Sequence, residues 1–115
     1  MMDCIFCRIA SGEIPATVVA RTPDAIAFRD LHPQAPVHLL VIPVRHVASA
    51  SDLNGPEAAG VLGEIMALAV ATAADLGLDP AGYRMVVNTG REGGQTVGHL
   101  HVHLLGGRQM HWPPG

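Results

Sequence analysis

The chain has no lysine, and all seven of its basic residues are arginine. That absence removes the lysine of a phosphate-binding P-loop, Schiff-base chemistry on a side-chain amine, and polybasic attachment to a membrane. Charge of either sign is scarce. Charged residues make up 15% of the 115, the net charge is -3, and no dense cationic stripe of the kind that reads nucleic acid is present. Neither nucleic acid nor a membrane is an expected partner. Long apolar runs are also missing. Arg8 interrupts the first before it reaches signal-peptide length, and Ile65 to Ala74, flanked by Glu64 and Asp75, is about half of what a bilayer demands. The expectation is a soluble cytoplasmic protein. Cysteine is limited to Cys4 and Cys7, spaced C-x-x-C. In such a chain this pattern points to a reduced pair, a metal half-site or a redox motif in preference to a secreted disulfide framework. Repeats, low-complexity tracts and linker-like blocks are absent, so residues 1–115 read as one domain whose core hides roughly two-thirds of the unfolded surface.

Short periodic segments separated by single Pro and Gly residues set the order of elements. Asp3 to Ile9 reads as a short helix with Ile5, Phe6 and Ile9 on one side. Val18 to Arg21 and Ala25 to Arg29 read as a hairpin turned at Pro23-Asp24, and His38 to Ile42 as a central strand stopped by Pro43. Asn54 as cap, Pro56 in the first turn and Gly77 at the exit mark a long helix from Pro56 to Leu76. Val61, Ile65, Leu68, Thr72 and Leu76 share one of its faces. Ala59, Gly63, Ala67 and Ala71 form a second stripe that another backbone could approach closely. Tyr83 to Asn88 and His99 to Leu105 are the last strands, joined by the loop Thr89 to Gly98. The fold class is α+β: an antiparallel sheet with one long helix on a face and a short N-terminal helix.

Chemistry concentrates at the end of this order. His99-Leu-His-Val-His-Leu-Leu105 alternates, so a strand sends His99, His101 and His103 to one face and Leu100, Val102 and Leu104 to the other. Rings roughly 6.5 to 7 Å apart along a strand can address one small group. Such a row serves either metal binding or attack of a neutral imidazole on phosphorus. The preceding loop offers Asn88, Gln95, Thr96 and the backbone N–H groups of Gly93 and Gly94. These suit an anionic oxygen and are poor zinc ligands, which favours phosphate.

The segment His99 to Leu105 resembles the His-φ-His-φ-His-φ-φ signature, with φ apolar, of the histidine triad superfamily of nucleotide hydrolases and transferases. The likeness extends over Phe28-Arg-Asp-Leu-His-Pro-Gln-Ala-Pro36, Val41-Ile-Pro-Val-Arg-His46, Tyr83-Arg-Met-Val-Val-Asn88 and the tail Gly106-Gly-Arg-Gln-Met-His-Trp-Pro-Pro-Gly115. These blocks are similar to the Hint branch, the purine nucleoside phosphoramidases. The resemblance implies an adenosine 5'-monophosphoramidase-type enzyme acting on purine nucleotides without a catalytic cofactor. His101 would attack the α-phosphorus, expel an amine and hold a transient nucleotidyl group. His103, Asn88, Gly94, Gln95 and Thr96 would surround the phosphoryl oxygens. Asp30 would accept the ribose hydroxyls, and Phe6, Ile9, Phe28 and Leu31 would line the base slot. His99 and His46 would support the triad.

The C-x-x-C pair departs from much of that branch. By analogy with other superfamily members, Cys4, Cys7, His46 and His99 would form a structural zinc site facing away from the nucleotide. The family pattern also implies a homodimer, its sheet continued through Tyr83 to Asn88 and its Trp112 tail reaching the partner's pocket. Two rival readings are a zinc-dependent hydrolase with the triad as ligands and a non-catalytic nucleotide-binding or protein-interaction module. His32, His38 and His111 carry no expected role, His38 reading as an ordinary strand histidine.

Overall fold

Thr22 turns the first hairpin, its hydroxyl accepting from the backbone N–H groups of Asp24 and Ala25. The strands it joins are Val18–Arg21 (β1) and Ala25–Arg29 (β2), as the sequence indicates. The structure, a computed structural model, describes residues 4–115. Ile5–Ala10 (α1) precedes the hairpin, so the expected start at Asp3 lies outside the described residues. Val37–Pro43 (β3), Gly55–Asp75 (α2), Tyr83–Val86 (β4) and Val102–Gly106 (β5) follow. All neighbours are antiparallel, in the order β1-β2-β3-β5-β4. The α+β architecture is the one the sequence implies.

Register decides what each face carries. Phe28 pairs with Leu40 and Leu40 with His103, while Ala27 pairs with Val41 and Val41 with Val102. Because strand side chains alternate, the first row lies on one face and the second on the other. Ile65, Leu68 and Ala69 of α2 pack over Ala27, Val41 and Val102. Burying Ile65 and Val41, both fully inaccessible, contributes on the order of 2 kcal/mol each. On the opposite face, Phe6 and Ala10 of α1 pack on Ile26, Phe28, Leu40 and Ile42. A helix of six residues covers only part of that face, and the rest opens as a cavity.

Several expected boundaries shift. The last strand enters the ladder at Val102, three residues later than the alternation suggests, because the Leu100 N–H turns to the Val47 carbonyl at 2.7 Å. Leu100 still points into the core with Val102, so the two-face division survives without the pairing. β4 stops at Val86, which pairs with His103, and Val87 and Asn88 leave the sheet. The long helix begins at Gly55 without a side-chain hydrogen bond from Asn54. It ends at Asp75, so Leu76 lies past its buried stripe, and Gly77 takes the turn at φ 74°. By length and composition this helix could cross a membrane, since Gly and Ala extend the apolar run around Glu64. In the fold, Ile65, Leu68, Ala69, Thr72 and Ala73 are buried instead. The Thr72 hydroxyl donates to the Leu68 carbonyl at 2.7 Å, which satisfies the one polar group in that stripe. Ala59, Gly63, Ala67 and Ala71 face outward.

Candidate active site

The cavity beside α1 has a volume of about 380 Å³. Phe6, Ile9, Phe28 and Leu40 give it an apolar wall, and Asp30, Thr96, His101 and His103 a polar end. Alternation along β2 and β5 puts Phe28 and His103 there, and α1 brings Phe6 across from them. The Phe6 ring stands edge-on to Phe28 at 5.6 Å and to His101 at 5.3 Å.

Hydrogen bonds fix the protons on the two cavity imidazoles. His101 Nδ1 lies 2.7 Å from the His99 carbonyl, which can only accept, so Nδ1 carries a hydrogen and, in the neutral ring, Nε2 keeps the lone pair. A second chain starts at the Gln34 N–H, which donates to His38 Nδ1 at 3.0 Å. His38 therefore carries its hydrogen on Nε2 and donates to His103 Nδ1 at 2.9 Å. That leaves His103 Nε2–H as a donor. The paired rings thus offer one lone pair and one N–H in adjacent positions, with centroids 5.0 Å apart.

Burial disfavours charge on His103 and His38. His103 is pushed down to about 4, first by desolvation and then by the neighbouring His101 and His38, against the pull of Asp30. His38 is lowered by burial, with Asp30 opposing. Asp30 holds the His32 N–H at 2.8 Å through one oxygen and sits 3.4 Å from His38 Nε2 with the other.

Behind the cavity is a different cluster. His99, fully buried, donates from Nε2 to the Pro43 carbonyl at 2.9 Å and turns Nδ1 toward Cys4 Sγ at 3.2 Å and Cys7 Sγ at 3.5 Å. His46 Nδ1 meets Cys7 Sγ at 3.2 Å. All four ligand atoms lie within 4.8 Å of one another. Tetrahedral zinc, with Zn–S of about 2.3 Å and Zn–N of about 2.0 to 2.1 Å, sets S···N edges near 3.5 Å. Two sulfurs and two imidazoles at these separations fit such an ion. Metal-free, burial pushes the Cys7 thiol up to about 11, and the hydrogen bond and charge of Cys4 add to it. Asp30, His38 and His103 are also close enough to hold a metal. There, however, the Gln34 N–H occupies His38 Nδ1, and a metal on Nε2 would require an imidazolate. That group works as a hydrogen-bond chain.

Of the residues expected at the site, His101, His103, Asp30, Leu31, Phe28, Phe6, Ile9 and Thr96 line the cavity. His99 and His46 do not, because their rings belong to the thiol cluster, and the three triad imidazoles accordingly do not converge on one ion. Asn88, Gly94 and Gln95 are also outside the lining. The Gln95 amide is committed elsewhere: Oε1 accepts from Gly90 N–H at 3.0 Å, and Nε2 donates to Ala48 O at 2.7 Å and Val97 O at 3.0 Å. It braces the loop and leaves no donor for a phosphate. Sequence reasoning missed His38. The available signal was its place two residues before Leu40 on a strand, which sets both on the face that carries Phe28 and His103.

A family model described as HIT domain matches residues 11–110. The chain is 47% identical to a 14 kDa zinc-binding protein of Brassica juncea over 98% of this chain and 100% of that one. Among solved structures, a HIT family hydrolase from Legionella pneumophila Philadelphia 1 superposes with a TM-score of 0.94 at 52% identity, covering 98% of this chain and 100% of the other. A histidine triad nucleotide-binding protein from Candida albicans gives a TM-score of 0.82 at 32% identity over 96% and 83%. A hydrolase-type fold, an alternating histidine row and a match over residues 11–110 lead to one assignment: the chain belongs to the HIT domain family.

Proposed function

We propose that the protein hydrolyses the P–N bond of purine nucleoside 5'-phosphoramidates through a nucleotidyl group held on His101. The observation that carries this reading is the free Nε2 lone pair of His101 at a cavity with an apolar slot at one end and Asp30 at its side. His101 Nε2 attacks the α-phosphorus, the P–N bond breaks, and the nitrogen leaves with its electron pair and a proton from solvent as an amine. Water then attacks the same phosphorus and gives its proton to solvent, and His101 leaves as the neutral imidazole as the nucleotide is released. His103 Nε2–H donates to a phosphoryl oxygen as charge gathers on it. The His38 chain orients that donor without passing a proton, because His38 cannot give up its Nε2 hydrogen while Gln34 N–H holds Nδ1. The slot between Phe6, Ile9 and Phe28 takes the base, and the Asp30 carboxylate, through the oxygen that does not hold the His32 N–H, takes the ribose diol.

Cys4, Cys7, His46 and His99 would hold one structural zinc, which would supply a fixed cross-link between α1 and the segment leading to His101. Elemental analysis of untagged protein should find about one equivalent, and less than about a tenth would remove the site. We further propose a homodimer joined along the edge strand β4 and the outward stripe of α2.

Rapid quenching of enzyme with excess AMP-amine substrate, followed by peptide mapping, should locate the nucleotide on His101. Single-turnover hydrolysis in heavy-oxygen solvent with inverted stereochemistry at phosphorus would refute the covalent route.

A further inference from the structure

We propose that Cys4 and Cys7 form an oxidation site that controls the nucleotide cavity by releasing the cation they share with His46 and His99. The inference rests on the zinc and nucleotide readings above and adds a link between them. Three observations carry it. The first is the placement of α1. Cys4 caps this helix and Cys7 lies in its first turns, with Phe6 between them in the chain. Ile5, Phe6 and Ile9 of the same six-residue helix line the cavity. The second is the reach of Phe6, whose ring stands edge-on to His99 at 5.9 Å and to His101 at 5.3 Å. One aromatic ring therefore touches a residue of the thiol cluster, the attacking histidine and the base slot. The third is access. Both cysteines are partly accessible and His46 is exposed, so a small oxidant reaches the sulfurs from solvent without entering the cavity.

The chemistry closes with a hydroperoxide as oxidant. Two thiolates lose one electron each and join as a Cys4–Cys7 disulfide. Hydrogen peroxide accepts the two electrons, takes two protons from solvent and leaves as two waters, and the divalent cation departs without change of charge. The geometry permits this, since the sulfurs lie within 4.8 Å of each other in a C-x-x-C at a helix start. Bonding draws them to about 2.05 Å and removes two of the four ligands at once. The first turn of α1 must follow the sulfurs, and Phe6 follows the turn. His99 loses its partners on Nδ1 and keeps only the Pro43 carbonyl. The result is a looser base wall around an intact histidine row.

The test uses zinc-loaded full-length protein titrated with hydrogen peroxide, with AMP affinity read by calorimetry and imidazole signals by nitrogen-15 NMR. We expect one zinc released for every two thiols lost and AMP affinity weakened about tenfold, roughly the loss of one well-packed contact in the slot. His99 and His101 signals should move, and dithiothreitol with added zinc should restore all of these. The Cys4→Ser/Cys7→Ser double variant should begin with the weaker affinity and show no response to peroxide. Zinc release with unchanged AMP affinity and unmoved His101 signals would overturn the proposal. AMP that fails to bind the reduced, loaded protein would overturn the nucleotide reading instead, and the NMR response would still decide whether the thiols and His101 are linked.

Discussion

Acid should weaken this protein through His103 in a way that one substitution can isolate. Folding holds the His103 imidazole at about 4, against an ordinary value of 6.5. An unfolded chain therefore takes a proton near 6.5 that the folded chain refuses until about 4. The stability contributed by the neutral ring is fully present above about 6.5 and is lost as pH falls through that window. At about 1.4 kcal/mol per pH unit, a gap of about 2.5 units corresponds to roughly 3 kcal/mol. Screening at a partly accessible cavity reduces the working figure to about 2 kcal/mol. His38, lowered in the same direction, adds to the loss. His103→Asn is the informative change, because the Asn carbonyl can replace Nδ1 as acceptor for His38 without titrating. Urea unfolding at about pH 7 and about pH 4.5 should show wild type losing about 1.5 kcal/mol more than His103→Asn, since pH 4.5 covers most but not all of the window. Parallel losses would refute the argument, since carboxylates and the thiol cluster contribute equally to both proteins.

Asp30→Asn should weaken AMP binding about tenfold and leave 2',3'-dideoxy-AMP binding nearly unchanged, as equal losses for both ligands would deny Asp30 its role at the diol. Gln95→Ala removes three hydrogen bonds that brace the loop, so thermal unfolding should report a loss of about 1 to 2 kcal/mol with AMP affinity nearly constant. Weaker AMP binding without destabilisation would return Gln95 to the phosphate. Sedimentation at low protein concentration should show a dimer, and monomer alone would exclude pairing through β4.

The histidine row was legible because period-two alternation needs no knowledge of neighbours: Leu100, Val102 and Leu104 enter the core whether or not their backbone is paired. The hairpin was equally plain, its turn residues sitting between two short apolar runs. What stayed hidden depends on register across the sheet. His38 becomes a partner of His103 only once β3 is known to lie beside β5, a contact spanning 65 positions in the chain. Gln95 misled for a related reason. An amide in a glycine-rich loop suits an anion, yet three backbone groups of its own surroundings claim it first. Loop bracing of that kind has no periodic signature.

His99 contributes to the molecule twice, through its ring and through its carbonyl. Only the ring is encoded by the identity of the amino acid. Any residue at that position still presents the oxygen that orients the His101 imidazole, so a side-chain change alone cannot erase it, whereas the Nδ1 that faces the two sulfurs is lost by a single codon change. Lineages could therefore abandon the thiol cluster while keeping the His101 ring aligned, and a designer wishing to disturb that alignment must alter the main chain itself.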